Sequence, residues 1–156
     1  MIRVKPKAMK IAIGGDHAGF ELKNELIPLI EGAGHAVLDM GAFSSEPSDY
    51  PDFARSVGES VRDGRADRGI LVCGSGAGVT VAANKIHGVR ATLAHDVYTA
   101  HQGVEHDDIN IITMGARIIG PAIAKEIVTA FLNAKFSGEE RHVRRLEKVL
   151  QIEAEN

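Results

Sequence analysis

The chain has 156 residues, enough for one domain with a sizeable core, and its single cysteine excludes an intrachain disulfide and fits a reducing cytosol. A formal net charge of -3, no tryptophan and few aromatic residues argue against a nucleic-acid surface or a base-stacking platform. No apolar stretch approaches the roughly 20 residues of a membrane span, and the basic start of the chain lacks the apolar core of a secretory signal.

Residues 1–8 read as a short N-terminal extension, with a single domain over 9–156 and Met9 as an alternative start. The first strand is expected at 10–14, followed by the turn Gly14-Gly15-Asp16-His17-Ala18-Gly19 and a helix at 20–32. Glycines there permit positive φ and close approach of a ligand. Asp16 is placed to cap the helix or to orient a sugar hydroxyl, and His17 to donate to a phosphate. A strand at 36–40 and a helix at 50–63 follow.

The third strand, at 69–73, ends on Cys73 and runs into Gly74-Ser75-Gly76-Ala77-Gly78 and a helix at 78–86. Such a junction aims several backbone N–H groups at one spot. They favour a thiolate there, and they hold an anion such as a phosphate or an enediolate oxygen. A free cysteine is as often a small buried hydrophobe, and on these residues alone both readings stay open. The turn also approaches a dinucleotide fingerprint, although its spacing is G-x-G-x-G, and Asp96 stands near the place of a ribose-binding acid. A nicotinamide reading therefore stays open too, against the small size of the domain and the thiol at the strand tip.

A strand at 90–94 leads to His95-Asp96 and a helix at 97–105. His101 and His106 lie five apart, about 140° around a helix, so they share no face and no metal site is expected. His106-Asp107-Asp108 closes that helix, where an imidazole is available for acid–base chemistry. The last strand, at 110–114, delivers Gly115-Ala116-Arg117, and helices at 121–134 and 139–154 complete the chain. On the last helix Arg141 and Arg145 lie i, i+4, with His142 and Arg144 beside them. They form either a solvated face or, with Arg117, a bidentate grip for one phosphate.

Alternating strands and helices imply βαβ units. We expect a three-layer α/β/α domain with a five-stranded parallel, Rossmann-like sheet, in the order 2-1-3-4-5. Ligands bind past the carboxyl ends of such strands, which predicts one chemical edge carrying Asp16, His17, Cys73, Ser75, His95 and Arg117.

The blocks Ile13-Gly14-Gly15-Asp16-His17-Ala18-Gly19, Ser48-Asp49-Tyr50-Pro51, Cys73 to Gly78 with Ala82-Ala83-Asn84-Lys85, His106-Asp107-Asp108-Ile109-Asn110 and Gly115-Ala116-Arg117 resemble the ribose-5-phosphate isomerase type B family. That family also includes galactose-6-phosphate isomerase subunits. The resemblance implies aldose–ketose isomerisation of a phosphorylated sugar through a cis-enediolate, with no metal and no cofactor. It implies Cys73 as the base between C1 and C2, Ser75 as its supporting hydroxyl, and the N–H groups of Gly74, Gly76, Ala77 and Gly78 as the enediolate cradle. It implies His106 for opening the sugar ring, Asp16 and Tyr50 as substrate contacts, and His17, Arg117, Arg141 and Arg145 as the phosphate grip. Asp107 and Asn110 join the expected substrate contacts, with Asp107 where many relatives have asparagine. The resemblance further implies a homodimer or homotetramer with shared sites, in which His106, Tyr50 and some arginines act in trans. Ribose 5-phosphate is the expected substrate; galactose-6-phosphate isomerase subunits commonly lack this cysteine, so the resemblance implies a type B enzyme for smaller sugars. Tetrose 4-phosphates and hexose 6-phosphates are the rivals within the class, and a non-catalytic sugar-phosphate sensor is the rival outside it.

Overall fold

The computed structural model describes residues 7–156, so most of the expected 1–8 extension lies outside the described residues. Five strands alternate with helices: β1 (Lys10–Gly15), α1 (Phe20–Gly32), β2 (Ala36–Asp39), α2 (Tyr50–Arg62), β3 (Arg68–Cys73), α3 (Ala77–Ala83), β4 (Ala91–Leu93), α4 (Val97–Asp107) and β5 (Ile111–Gly115). Two helices, α5 (Pro121–Asn133) and α6 (Glu140–Ala154), follow. All strand pairs are parallel.

Alternation along the strands sorts the core into two layers. Ile11, Ile13, Ile70, Val72, Ile112 and Met114 face α1, α4 and α5, packing on Leu26, Val104, Ile127 and Phe131. Ala12, Leu71, Cys73 and Ile111 face α2 and α3, packing on Ala54, Val57, Val79 and Ala83. Each fully buried Ile or Leu contributes about 1.5–3 kcal/mol, so both helix layers are held chiefly by the apolar strands between them.

The sheet order is β2-β1-β3-β5-β4, which corrects the expected 2-1-3-4-5. Burial explains the exchange. Every residue of β5 is buried, as a strand enclosed by neighbours and helices must be. By contrast β4 has three residues and its Leu93 is 38% exposed, which suits an edge. The exchange has a consequence for the site. It sets Gly115-Ala116-Arg117 directly beside Cys73-Gly74, with Ala116 N donating to Cys73 O at 2.8 Å and Arg117 N to Gly74 O at 3.0 Å.

Helix α3 is also shorter than the expected 78–86. Asn84 leaves the helix because its side-chain amide pairs with the Ala91 backbone in both directions, at 2.9 and 2.8 Å. The amide therefore ties the end of α3 to the edge strand.

Candidate active site

Three strand tips build one cleft. The turn after β1 brings Asp16, the turn after β3 brings Cys73, Gly74, Ser75 and Gly78, and the turn after β5 brings Arg117 and Ile118. Tyr50, at the first turn of α2, closes the side of this open space of roughly 340 Å³ within its own chain, which corrects the expectation that it acts in trans, because α2 packs beside the β3 turn. Its ring lies where a Cβ on Gly78 would stand, 2.8 Å from the nearest ring carbons, so only glycine lets the tyrosine lie flat on the loop.

Cys73 is 4% exposed, yet it lines this cleft rather than being sealed beneath it. Gly76 N donates to its Sγ at 3.1 Å. That contact requires Gly76 to adopt φ +83°, where an added Cβ would come within 2.4 Å of Leu93 Cδ1. Ala77 N donates to Ser75 Oγ at 3.2 Å, while the Ser75 and Gly78 N–H groups have no acceptor among the described residues. The loop thus leaves the Ser75 and Gly78 N–H groups open beside a sulfur, while the Gly76 and Ala77 N–H groups expected in the cradle are spent on that sulfur and on Ser75. Such an arrangement accommodates negative charge developing on a bound oxygen.

Asp16 is 7% exposed, and its Oδ1 accepts from Ala18 N and Gly19 N. It therefore caps the turn into α1 and also lines the cleft. His17 and Ser48 hold each other: His17 N donates to Ser48 Oγ, and Ser48 N donates to His17 Nδ1, each at 3.1 Å. A backbone N–H can only donate, so Nδ1 must accept. The neutral ring then carries its hydrogen on Nε2, a donor suited to an anion.

The remaining expected residues are not in this cleft. Helix α4 starts past the carboxyl end of β4 and ends before the amino end of β5, so its last turn lies at the opposite edge of the sheet. His106 is there, with Gln102 Nε2 2.8 Å from its Nδ1 and its ring stacked on His142 at 4.0 Å between centroids. Arg141 and Arg145, both exposed, occupy the first turns of α6 beside it, with Arg141 Nε 3.1 Å from Glu139 Oε2. Asp107 lines a separate apolar groove of roughly 670 Å³ against Leu146, Val149 and Leu150 of α6. Asn110 donates to Gly88 O and accepts from Arg90 N, each at 2.8 Å, which makes it a clip between the approaches to β4 and β5.

His142 is 2% exposed, with its Nδ1 2.6 Å from Ser137 Oγ. Burial, with the neighbouring His106, Arg141 and Arg145, pushes its pKa below the usual imidazole range against the opposing pull of Glu139. A lowered folded-state pKa means that the unfolded chain binds the proton first, so stability falls as pH drops below about 6.5. Melting scans from pH 7.5 to 5.5 are expected to show a steeper loss for the wild type than for His142→Asn. Equal slopes would remove this role.

Asp96 is accounted for structurally. Its Oδ1 accepts from Thr99 N at 2.6 Å and its Oδ2 from Thr99 Oγ1 at 2.7 Å, capping α4. These bonds hold its pKa below the usual carboxylate range and make it the cap of α4. Two further residues stand by the cleft, one outside the sequence expectations and one expected at this edge without an assigned role. One is Ile118, an apolar residue left exposed just past Arg117. The other is His95, whose Nε2 accepts Gly115 N–H at 2.9 Å and braces the β5 turn. Its signal is position, two residues beyond the tip of β4.

A parallel five-stranded sheet with a thiol, a donor loop, a carboxylate and a guanidinium at one edge is an α/β arrangement whose chemistry suits an anionic polyol. The chain belongs to the Ribose/Galactose Isomerase family, whose pattern matches residues 11–149. It is 43% identical to ribose-5-phosphate isomerase B of Escherichia coli, over 92% of this chain and 96% of that protein. It is 40% identical to D-erythrulose-4-phosphate isomerase of Pectobacterium atrosepticum, over 83% of this chain and 86% of that protein. The solved structure of Clostridium thermocellum ribose-5-phosphate isomerase B superposes with a TM-score of 0.91 at 43% identity, covering 94% of this chain and 99% of that one. The protein is an enzyme of the isomerase class, acting on sugar phosphates.

Proposed function

We propose that the chain interconverts ribose 5-phosphate and ribulose 5-phosphate at the Cys73 cleft. The observation that carries this reading is the Gly76 N–H held against Cys73 Sγ within a cleft that Asp16, Ser75 and Arg117 also line. In the aldose-to-ketose direction the Cys73 thiolate accepts the C2 hydrogen, and the electron pair moves through C1 onto O1. The enediolate forms beside the donor loop. The Cys73 thiol then returns a proton to C1 while O2 loses its proton to O1, giving the ketose and regenerating the thiolate. Ser75 donates to the developing oxyanion, Asp16 and Tyr50 orient the sugar, and His17 with Arg117 hold its phosphate.

Opening the furanose ring falls to His106 and completing the phosphate grip to Arg141 and Arg145, all from a second copy of the chain. Their place at the far edge of their own sheet supports this division, because in one chain they serve no cleft. A homodimer with two shared sites is the smallest assembly that satisfies both halves. No helix among the described residues is long and apolar enough to cross a membrane, and with one free thiol we place the enzyme in the cytoplasm. Likeness to the erythrulose-phosphate enzyme favours a second reading, a tetrose 4-phosphate substrate. Turnover on a panel of phosphorylated tetroses, pentoses and hexoses decides. The highest kcat/KM is expected for ribose 5-phosphate, and a tetrose or hexose in first place would reassign the substrate.

A further inference from the structure

Thr113 stands in the middle of β5 with its side chain fully buried, at a position where valine would fill the same space without a hydroxyl to satisfy. Its Oγ1 lies 2.5 Å from Thr80 Oγ1 of α3, and Thr80 Oγ1 lies 2.6 Å from the Gly76 carbonyl. Counting hydrogens sets the direction of this chain, because each hydroxyl has one to give. Thr80 donates to Gly76 O and therefore accepts from Thr113. The other acceptor open to Thr113, the Thr92 carbonyl, is 3.4 Å away.

The Gly76 carbonyl and the Ala77 N–H are the two ends of one peptide unit. Ala77 N donates to Ser75 Oγ. With its oxygen accepting there, the Ser75 hydrogen is left to point into the cleft that Ser75 lines. A helical threonine often bonds back to the carbonyl four residues earlier. A second, buried hydroxyl feeding that bond is not part of the habit, and hydrogen bonds in series strengthen one another by roughly 10–30% each.

We propose that Thr113 and Thr80 are positioning residues that, through the Gly76–Ala77 peptide, orient and polarise the Ser75 hydroxyl toward the oxyanion formed in the reaction. The inference rests on the isomerase reading. Neither threonine touches the substrate, so kcat responds and KM does not.

The test compares Thr80→Val, Thr113→Val and the rescue variants Thr80→Ser and Thr113→Ser, all checked for wild-type circular dichroism. Loss of one net hydrogen bond in the series is expected to lower kcat about tenfold for Thr80→Val and about threefold for Thr113→Val, with KM within about twofold. Both serine variants recover wild-type kcat. The Ala77 amide proton, read by NMR in the free enzyme, moves upfield in both valine variants. Unchanged kcat with an unmoved Ala77 resonance overturns the proposal, as does a loss that serine fails to rescue or that KM tracks. A wild type that turns over no sugar phosphate overturns the isomerase reading instead, and the Ala77 resonance then still decides whether the series of bonds exists.

Discussion

Cys73→Ser is expected to lower kcat by about a thousandfold or more, since general-base removal typically costs 10²–10⁴ and a hydroxyl is a far weaker base than a thiolate at neutral pH. The fold accommodates the change. Serine is close to isosteric, the site is 4% exposed, and its Oγ accepts the Gly76 N–H that now meets the sulfur. Binding of the sugar phosphate is expected to persist, because Asp16, Tyr50 and Arg117 are untouched at the other walls of the cleft. Progress curves and isothermal titration on the same preparation separate the two effects. Retained turnover would leave the sulfur without its proposed role. Loss of binding and turnover together, with an unchanged melting temperature, would make Cys73 a binding residue instead.

The second large effect concerns the division of the site between copies. Cys73→Ser and His106→Asn are each expected to be nearly inactive when pure, the latter on the cyclic sugar. Mixing them under conditions that exchange subunits is expected to restore about a quarter of wild-type activity. Half of the dimers are then mixed, and in a two-fold dimer each mixed pair holds one intact site. The far-edge position of His106 makes this outcome specific, since a site complete within one chain could not be rescued by exchange. Inactivity of the mixture, with exchange confirmed by mass spectrometry, would return the whole site to one subunit.

The order of elements was legible in the sequence because each strand is a short apolar run closed by glycine or a polar turn. Helix α1 begins and ends where its periodicity does, at Phe20 and Gly32. The exchange of β4 and β5 was not legible, because neighbours in a sheet are chosen by burial of the whole strand. Three residues at 91–93 look much like five until their exposure is known. The cleft was legible from one rule, that ligands bind past strand tips, and Asp16, Cys73, Ser75 and Arg117 all stand there. Tyr50 came from the family resemblance rather than from the tips. Asn110 has the look of a polar contact, yet both ends of its amide bind backbone. Thr113 had no signal, since a threonine in a strand reads as ordinary β propensity until its hydroxyl is traced to a partner.

Solvent exchange tests the central claim most directly. Wild-type enzyme in D2O, supplied with ribose 5-phosphate and no nucleotide, is expected to wash deuterium into the carbons that Cys73 serves, C2 of the aldose and C1 of the ketose. The incorporation is seen by NMR and is absent for Cys73→Ser. Turnover by the wild type with undiminished incorporation in the Cys73→Ser enzyme would contradict the account, because another group would then be moving the carbon-bound proton.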